Sequence, residues 1–519
     1  MRVLPDRIES MERELDRLRA ELARKDRIIS GLQQRLFGSS SEKLDPAQLQ
    51  LLFDEIILGK PAPPPEPGDD RPAPEEDAEP KGKANRRTRA ERFPRNLKIL
   101  IESVIEPGEV LADPESWEKI GEEHHDELDV IKPEIFWRRT VRPKYRHKTD
   151  RSLPPVVAAA PAPSIPGTLI APALAAQIIV DKYEDHLPHY RQSRRFKRRH
   201  GIELGRQTIN GWNHATLGHL APIGLAIRDE VLEAEALQID ETPIDYLDPG
   251  HGSTREGRLW AYRDVAGKAC CFDWHAGREA ECLLEFLGHD AETNTLAWNG
   301  TMHTDGYTVY DTVSRHHGLR HAGCLAHIRR KFTDLGHKSP EATLPVLLRI
   351  QWIYRIEKQM QFSGAPPPCR ELIRRARTRP IAEDLIKFIR EEIPRHLPGG
   401  DVAGALTYAS NRWDKFAVCL VDGRLELDTN LVENQIRPSK VGMKNWLFFG
   451  SLEAGANNAL AYTLLANCRI QGLDPEDYLV EVLRRLPANA TREQAAALTP
   501  RAIAAERRAA AEAGDDQAA

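Results

Sequence analysis

Apolar residues near the start of the chain fall at Leu4, Ile8, Met11, Leu15, Leu18, Leu22, Ile29, Leu32 and Leu36, with Lys25 filling one slot. The steps alternate between four and three, and the flanks are charged. That is a heptad seam, and it predicts a coiled coil. An amphipathic helix packed on the chain's own body gives the same spacing. After the break "LFGSSSEKL", a short apolar helix is expected at 47–58, closing a first segment at 1–58. Periodicity is then lost over 59–96, where a Pro- and acid-rich stretch gives way to the basic "KGKANRRTRAERFPR". We read a disordered linker, with a basic arm that either touches DNA phosphates or is simply solvated. The runs "LKILIESVI", "DELDVI" and "IFWRRTVRPKY" predict a small β-rich module over 97–152.

Residues 153–180 carry no charge, which raises the question of a membrane span. Pro154, Pro155, Pro161, Pro163, Pro166 and Pro172 would break a spanning helix, so a proline-rich linker running into a buried helix is expected. The rest of 153–230 is helical. The helix in "HLPHYRQSRRFKRR", a turn at Gly201–Gly205 and a second helix from Arg206 form a helix-turn-helix pattern. It places Thr208, Asn210 and Asn213 to face base edges, and Arg194, Arg195, Lys197, Arg198, Arg199 and Arg206 to hold phosphates. A plain helical hairpin with a basic outer face fits the same pattern.

From 231 to 325 the period changes. "EALQIDETPIDYL", "GRLWAYRDV" and "ACCFDWHAG" form a three-strand meander, followed by helix, strand, helix and strand. That order is the order of a ribonuclease-H-like fold. Residues 326–425 read as a helical insertion, 426–486 as a second, mostly helical part of the core, and 487–519 as an Ala-rich tail without a core pattern. The fold class expected is multidomain α+β: a ribonuclease-H-like α/β catalytic core with a helical insertion, an N-terminal coiled coil and a helix-turn-helix region.

Charge adds one feature. The 519-residue chain has a formal net charge of only -5, yet residues 187–208 hold seven basic groups against one Glu. Such a stripe can hold nucleic acid on a nearly balanced protein. The seven cysteines contain no CxxC pair and suit a reducing, cytoplasmic setting.

The candidate chemistry is acidic. Mg²⁺ prefers carboxylate and water oxygens, so two-metal phosphoryl transfer needs carboxylates converging from separate elements. Asp240 is expected to end the first strand and Asp305 the fourth, which would pair beside it. Glu433 in "DTNLVENQIRP" shares a helical face with Asn430 and Arg437. Each has a plainer reading: Asp240 and Asp305 as turn residues, and Asn430 with Glu433 as a capping box. No phosphate-cradling GxxxxGK[ST] occurs. His321, Cys324 and His327 have metal-like spacing but no second ligand pair to close a tetrahedral site. Cys324 is expected in the core, while His327, Arg329 and Arg330 line the site or bind phosphates. Arg437 and Lys444 join the candidate DNA contacts. Trp446 stacks on a base or is ordinary core.

The motifs "LFGSSSEK", "KYEDHLPHYRQ", "DETP", "TDGY", "GCLAHIRRKF", "RPSKVGMKNWLFFGS" and "GLDPEDYL" resemble, in order, those of the transposases of insertion-sequence family sixty-six. The resemblance runs from about residue 30 to 485. It implies a DDE transposase with Asp240, Asp305 and Glu433 as catalytic metal ligands for two Mg²⁺, or Mn²⁺ in its place. It also implies transposon-end and target DNA as partners, and small accessory proteins of the same element. The coiled coil would pair protomers as a dimer or higher, and the protein would be cytoplasmic and nucleoid-associated. The family usually carries a cysteine-rich zinc segment. Here 97–152 has no Cys, so zinc is not expected. The family's "ER" appears as Glu433-Asn434, and Thr429 replaces one Asn of the preceding pair. Two other functions fit the basic patches: a catalytically inactive DNA-bridging protein, and a structure-specific nuclease that cuts without joining.

Overall fold

The computed structural model describes residues 107–120, 133–148, 152, 154–248, 250–336 and 339–518. The expected coiled coil, the helix at 47–58, the linker with its basic arm, and the runs at 97–105 and 126–131 lie outside the described residues. The chain divides into two units, residues 61–137 and the remainder.

In the smaller unit the described segments contain one short helix, Gly108–Ala112, and a single 3-10 turn. No strand forms among them, and two of the three runs that predict the β-rich module at 97–152 lie outside the described residues. Trp117, Ile120, Phe136 and Trp137 all stay exposed, so the β-forming residues find no face to bury. Just beyond, Lys144–Tyr145 pairs with Val156–Val157 as a two-residue ribbon.

The larger unit is mixed α/β. Its first helices are α1 (Pro172–Tyr183), α2 (His189–His200) and α3 (Arg206–Leu232). Then comes the meander: β1 (Ala236–Leu247), β2 (Thr254–Asp264) and β3 (Cys270–His275). Helix α4 (Ala280–Phe286), β4 (Thr301–Thr304), α5 (Thr308–His317) and β5 (Arg320–Gly323) follow. The five strands lie in the order β3-β2-β1-β4-β5. β1, β2 and β3 pair antiparallel, while β4 is parallel to β1 and β5 parallel to β4.

Side chains alternate across β1, as pleating requires. Leu237 and Ile239 enter a core with Trp260, Tyr262, Phe286, Met302 and Tyr310, beneath α4 and α5. Gln238 points the other way, towards α11 (Asn430–Trp446). The edge strand β3 is covered by α12 (Leu452–Gln471). Asn467 and Thr463 of that helix bond the backbone of Cys270 and Phe272, filling ladder positions that would otherwise be open.

Between β5 and α11 lies the helical insertion: α6 (Leu325–Thr333), α7 (Pro340–Phe362), α8 (Pro367–Ile373), a π-helical turn at Arg374–Thr378, α9 (Arg379–Glu392) and α10 (Asp401–Val421). It has its own core around Ile350, Leu385, Leu406 and Phe416. Helix α10 packs so closely on β5 that a Cβ at Gly323 would come within 3.1 Å of the Phe416 nitrogen. The chain ends in α13 (Pro475–Arg485), α14 (Arg492–Ala496) and α15 (Pro500–Ala518). This region was expected to lack a core pattern from 487, yet Ala495, Leu498, Ile503 and Ala504 are buried, and Thr499 bonds Glu230 of α3. Small alanines pack there where the pattern offered few large residues. No helix among the described residues is long and apolar enough to cross a membrane.

Candidate active site

Asp240 lies in the middle of β1, not at its end. The strand runs on through "ETPIDYL" to Leu247, which pairs with Thr254. The polar "DET" looks like a strand terminus in sequence, but its backbone stays in the ladder with β2. Asp305 is the first residue after β4. Gln238 pairs with His303 in the parallel register, so two residues further on Asp240 and Asp305 lie abreast on neighbouring strands. Backbone pairing therefore fixes the approach of these two carboxylates.

Asp240 lies on the same face of β1 as Gln238, the face that α11 covers. Two hydrogen bonds pin the start of α11 there. The Gln238 amide donates to the Asp428 carbonyl at 2.8 Å and accepts from the Val432 N–H at 3.0 Å. On the β5 side, Leu325 N–H donates to Leu427 O at 2.9 Å, and the Thr429 N–H reaches Cys324 Sγ at 3.3 Å. Glu433 sits one turn into the helix so anchored.

The capping box that is the plainer reading of Asn430 and Glu433 does not form. Thr429, not Asn430, is the N-cap, and its side chain makes no capping bond. Its hydroxyl lies 3.2 Å from Glu433 Oε1 and 3.3 Å from Cys324 Sγ, with one proton to offer between them. Gln238 was not legible as a site residue, because its partners lie about 190 positions away.

The electrostatics single out Asp240. Its carboxyl is pushed well above the ordinary carboxylate range, first by burial and then by repulsion from Glu241, Asp305 and Glu433. The neighbouring Glu241 faces the opposite side of the sheet. There it accepts a 2.6 Å hydrogen bond from the Tyr310 hydroxyl. Burial raises Glu241 as well, and the Tyr310 bond opposes the shift. Lys440, also on α11, donates to the Pro243 carbonyl at 3.2 Å. Burial and then the charge of Arg258 lower its pKa, while Asp240 pulls the other way. Lys440 is a basic neighbour of the acidic cluster that the sequence reading did not single out, although it lies within "RPSKVGMK".

Asp305 begins a turn in which its Oδ1 accepts the Tyr307 N–H at 2.9 Å. Arg412 of the insertion bonds Asp311 at 2.7 Å and also the Gly306 carbonyl, tying α10 to this turn. The trio His321, Cys324 and His327 does not converge. His321 bonds Thr304 at 2.8 Å, and burial lowers its pKa to about 4. Cys324 is buried against Thr429, and His327 Nδ1 is 3.9 Å from Glu433 Oε1. His327 thus lines the site. Arg330 and Arg437 are exposed nearby in sequence, and Arg329 is half-buried.

The helix-turn-helix region forms as two helices, α2 and α3, joined by residues 201–205, with Gly201 in the left-handed region that ends α2. Arg194, Lys197, Arg198, Arg199, Arg206, Thr208 and Asn210 are exposed. Two residues depart from expectation. Arg195 turns inward and bonds buried Asp181 at 2.7 Å. Asn213 is buried and donates to the Tyr183 hydroxyl at 3.2 Å. Both lie on the face that packs against α1, so neither is free to reach DNA. Lys197 is paired with Glu203 at 2.5 Å but remains at the surface.

Comparison with known proteins places this arrangement. The family described as "Transposase IS66 family" matches residues 167–457, from α1 to the start of α12. The chain belongs to the IS66 transposase family. The "IS66 C-terminal element" matches 463–500, and "Transposase C of IS166 homeodomain" matches 26–99, outside the described residues. The chain is 33% identical to the uncharacterized protein y4qI of Sinorhizobium fredii (strain NBRC 101917 / NGR234), over 77% of this chain and 75% of the relative. It is 29% identical to y4jD of the same organism, over 94% of both chains. The family match spans Asp240, Asp305 and Glu433, the elements that carry them, and the whole insertion.

Proposed function

We propose that this family member is a DDE transposase that cuts DNA at transposon ends and joins the freed 3′ ends to target DNA. Asp240, Asp305 and Glu433 are its catalytic residues. The observation carrying this reading is the parallel register that sets Asp305 beside Asp240, together with the repulsion of Asp240 by Asp305 and Glu433. The sheet order β3-β2-β1-β4-β5, with helices entering after β3, β4 and β5, supports a ribonuclease-H-like core.

The donor chemistry fits a hard divalent cation. Clustered carboxylates repel one another, and a bound cation would relieve that repulsion. Among the described residues no three acidic, His or Cys side chains already stand at ligand distance from a common point. Two Mg²⁺ ions, or Mn²⁺ in their place, would be held by Asp240, Asp305 and Glu433 and would supply Lewis-acid stabilisation of charge at the phosphate and activation of the attacking oxygen. Asp240 and Asp305 hold their side of the site from the sheet, and Glu433 holds the other from α11. Gln238 keeps these two elements in register. His327 lies 3.9 Å from Glu433 at the edge of the site, and Lys440 offsets negative charge beside Asp240. Exposed Arg194, Arg198, Arg199 and Arg206 hold phosphates of the transposon end, and Thr208 and Asn210 face its bases. Paired coiled coils would bring two ends together.

Purified protein would be incubated with a labelled transposon-end oligonucleotide and supercoiled target plasmid in Mg²⁺, Mn²⁺ or EDTA, beside Asp305→Ala. Metal-dependent joined product that the variant fails to make is the expected result. Cutting without joining marks a nuclease instead. Binding without chemistry, with the element's accessory proteins added, marks an inactive bridging protein.

A further inference from the structure

Helix α11 ends in an uncommon turn. The Phe448 N–H donates to the Trp446 carbonyl at 2.9 Å, closing a three-residue γ-turn. Leu447 at its centre has φ 67° and ψ -50°. This is the rarer, strained hand of the γ-turn, in a region that suits glycine far better than a branched side chain. The strain is not offset by burial of the side chain, since Leu447 is 64% exposed, and its neighbour Phe448 is 39% exposed. A strained residue that holds an apolar side chain in solvent points to a ligand.

The turn is rigidly mounted. Trp446 stacks on buried Phe449, with ring centres 5.0 Å apart at 25°. Phe449 in turn adds a rung beside β1: its N–H donates to Asp245 O at 2.8 Å, and its carbonyl accepts from Leu247 N at 2.9 Å. The segment that carries the turn is basic. Residues 434–450 contain Arg437, Lys440 and Lys444 and no acidic residue. Arg191 of α2 reaches across to Asn445 at 2.9 Å, bringing the basic face of α2 to the same end of α11.

Both elements under the turn lead back to the acidic cluster. The helix from Glu433 to Leu447 is about 20 Å long at ~1.5 Å per residue. The strand from Asp240 to Leu247 spans roughly 23 Å at ~3.3 Å per residue. At ~3.4 Å per base pair, these distances are about six to seven base pairs of duplex.

We propose that Leu447 and Phe448 form an apolar wedge that enters DNA about six to seven base pairs from the acidic cluster and unstacks the duplex there. Lys444 and Arg437, on the helix leading to the turn, hold the backbone between the wedge and the acidic cluster, and a freed base stacks on Phe448. The inference rests on the DNA reading above.

The test uses the full chain and two short duplexes of the same arbitrary sequence, one fully paired and one with a central mismatch, each carrying 2-aminopurine at the centre. Unstacking is partly complete in the mismatched duplex, so wild type is expected to bind it at least about tenfold more tightly and to brighten its 2-aminopurine. The double variant Leu447→Gly, Phe448→Ser keeps the turn, because glycine accepts its backbone angles. It is expected to bind both duplexes alike, at the affinity of wild type for the paired one. Equal affinities in wild type, or a preference that survives in the variant, would overturn the wedge and leave DNA binding standing. No binding to either duplex overturns both readings. A variant that keeps the preference but loses self-association in sedimentation overturns the wedge by assigning the patch to a second copy of the chain.

Discussion

Two groups of buried charge lie in the larger unit, and they are built differently. In the insertion, Arg374 is fully buried and bonds Glu357 twice, at 2.5 and 3.0 Å, while Arg370 bridges Glu357 and Glu426. Asp422 accepts from Arg424 and from Arg320 at 2.7 Å. Burial raises its pKa, but the Arg424 hydrogen bonds and both arginine charges outweigh it and bring the carboxyl to about 2. Every acid in that group has its cation. On the sheet, Asp240 is surrounded instead by Glu241, Asp305 and Glu433, and its pKa moves the other way. A balanced cluster holds a fold together, whereas an unbalanced one is poised to take a cation from outside.

The contrast can be broken by substitution. Glu357→Gln strips the buried arginines of their partner, and the unfolding free energy is expected to fall by ~3–5 kcal/mol in chemical denaturation. Gln238→Leu orphans the Val432 N–H and the Asp428 carbonyl. It is expected to cost ~1–3 kcal/mol and to lower strand transfer with it, since Glu433 loses its anchor. Asp240→Asn acts with opposite sign. Without divalent ions at neutral pH it is expected to raise stability by on the order of 1 kcal/mol, because it removes a repelled buried charge.

The two groups also respond oppositely to pH. The raised Asp240 carboxyl takes up its proton more readily in the folded chain than in the unfolded one. Its favourable contribution is therefore present at low pH and lost as pH rises through its raised folded pKa. Asp422 contributes above its ordinary value of 3.8 and loses that contribution as pH falls towards about 2. Denaturation as a function of pH checks both, and Asp240→Asn is expected to abolish only the first. The smallest effect is that of Leu447→Gly, which relieves a strained backbone and is expected to gain up to about 1 kcal/mol in thermal unfolding.

The sequence made the order of strands and helices legible, because period-two and helical runs alternate cleanly from 236 to 333. Asp240 and Asp305 stood out through the motifs "DETP" and "TDGY", and Glu433 through "DTNLVENQIRP", in which the family's "ER" and one Asn are changed. What escaped depended on partners far along the chain. Whether Arg195 met phosphate or Asp181 turned on how α1 packs on α2, and the basic run alone could not say. Asn213 went inward for the same reason. Gln238 reads as one polar residue in an apolar strand until α11 lies across it. The alanines after 487 carry too little side chain for periodicity to reveal that they are packed.

The central claim is that the acidic cluster on the sheet is a cation site, and Mn²⁺ binding to the full chain, followed by electron paramagnetic resonance, tests it most directly. The expected result is binding to wild type that weakens at least about tenfold in Asp240→Asn and in Glu433→Gln, each of which loses a ligand. Glu241→Gln should bind as wild type does, because that side chain faces Tyr310 across the sheet. Mn²⁺ binding that is indifferent to Asp240 and Glu433 would contradict the account.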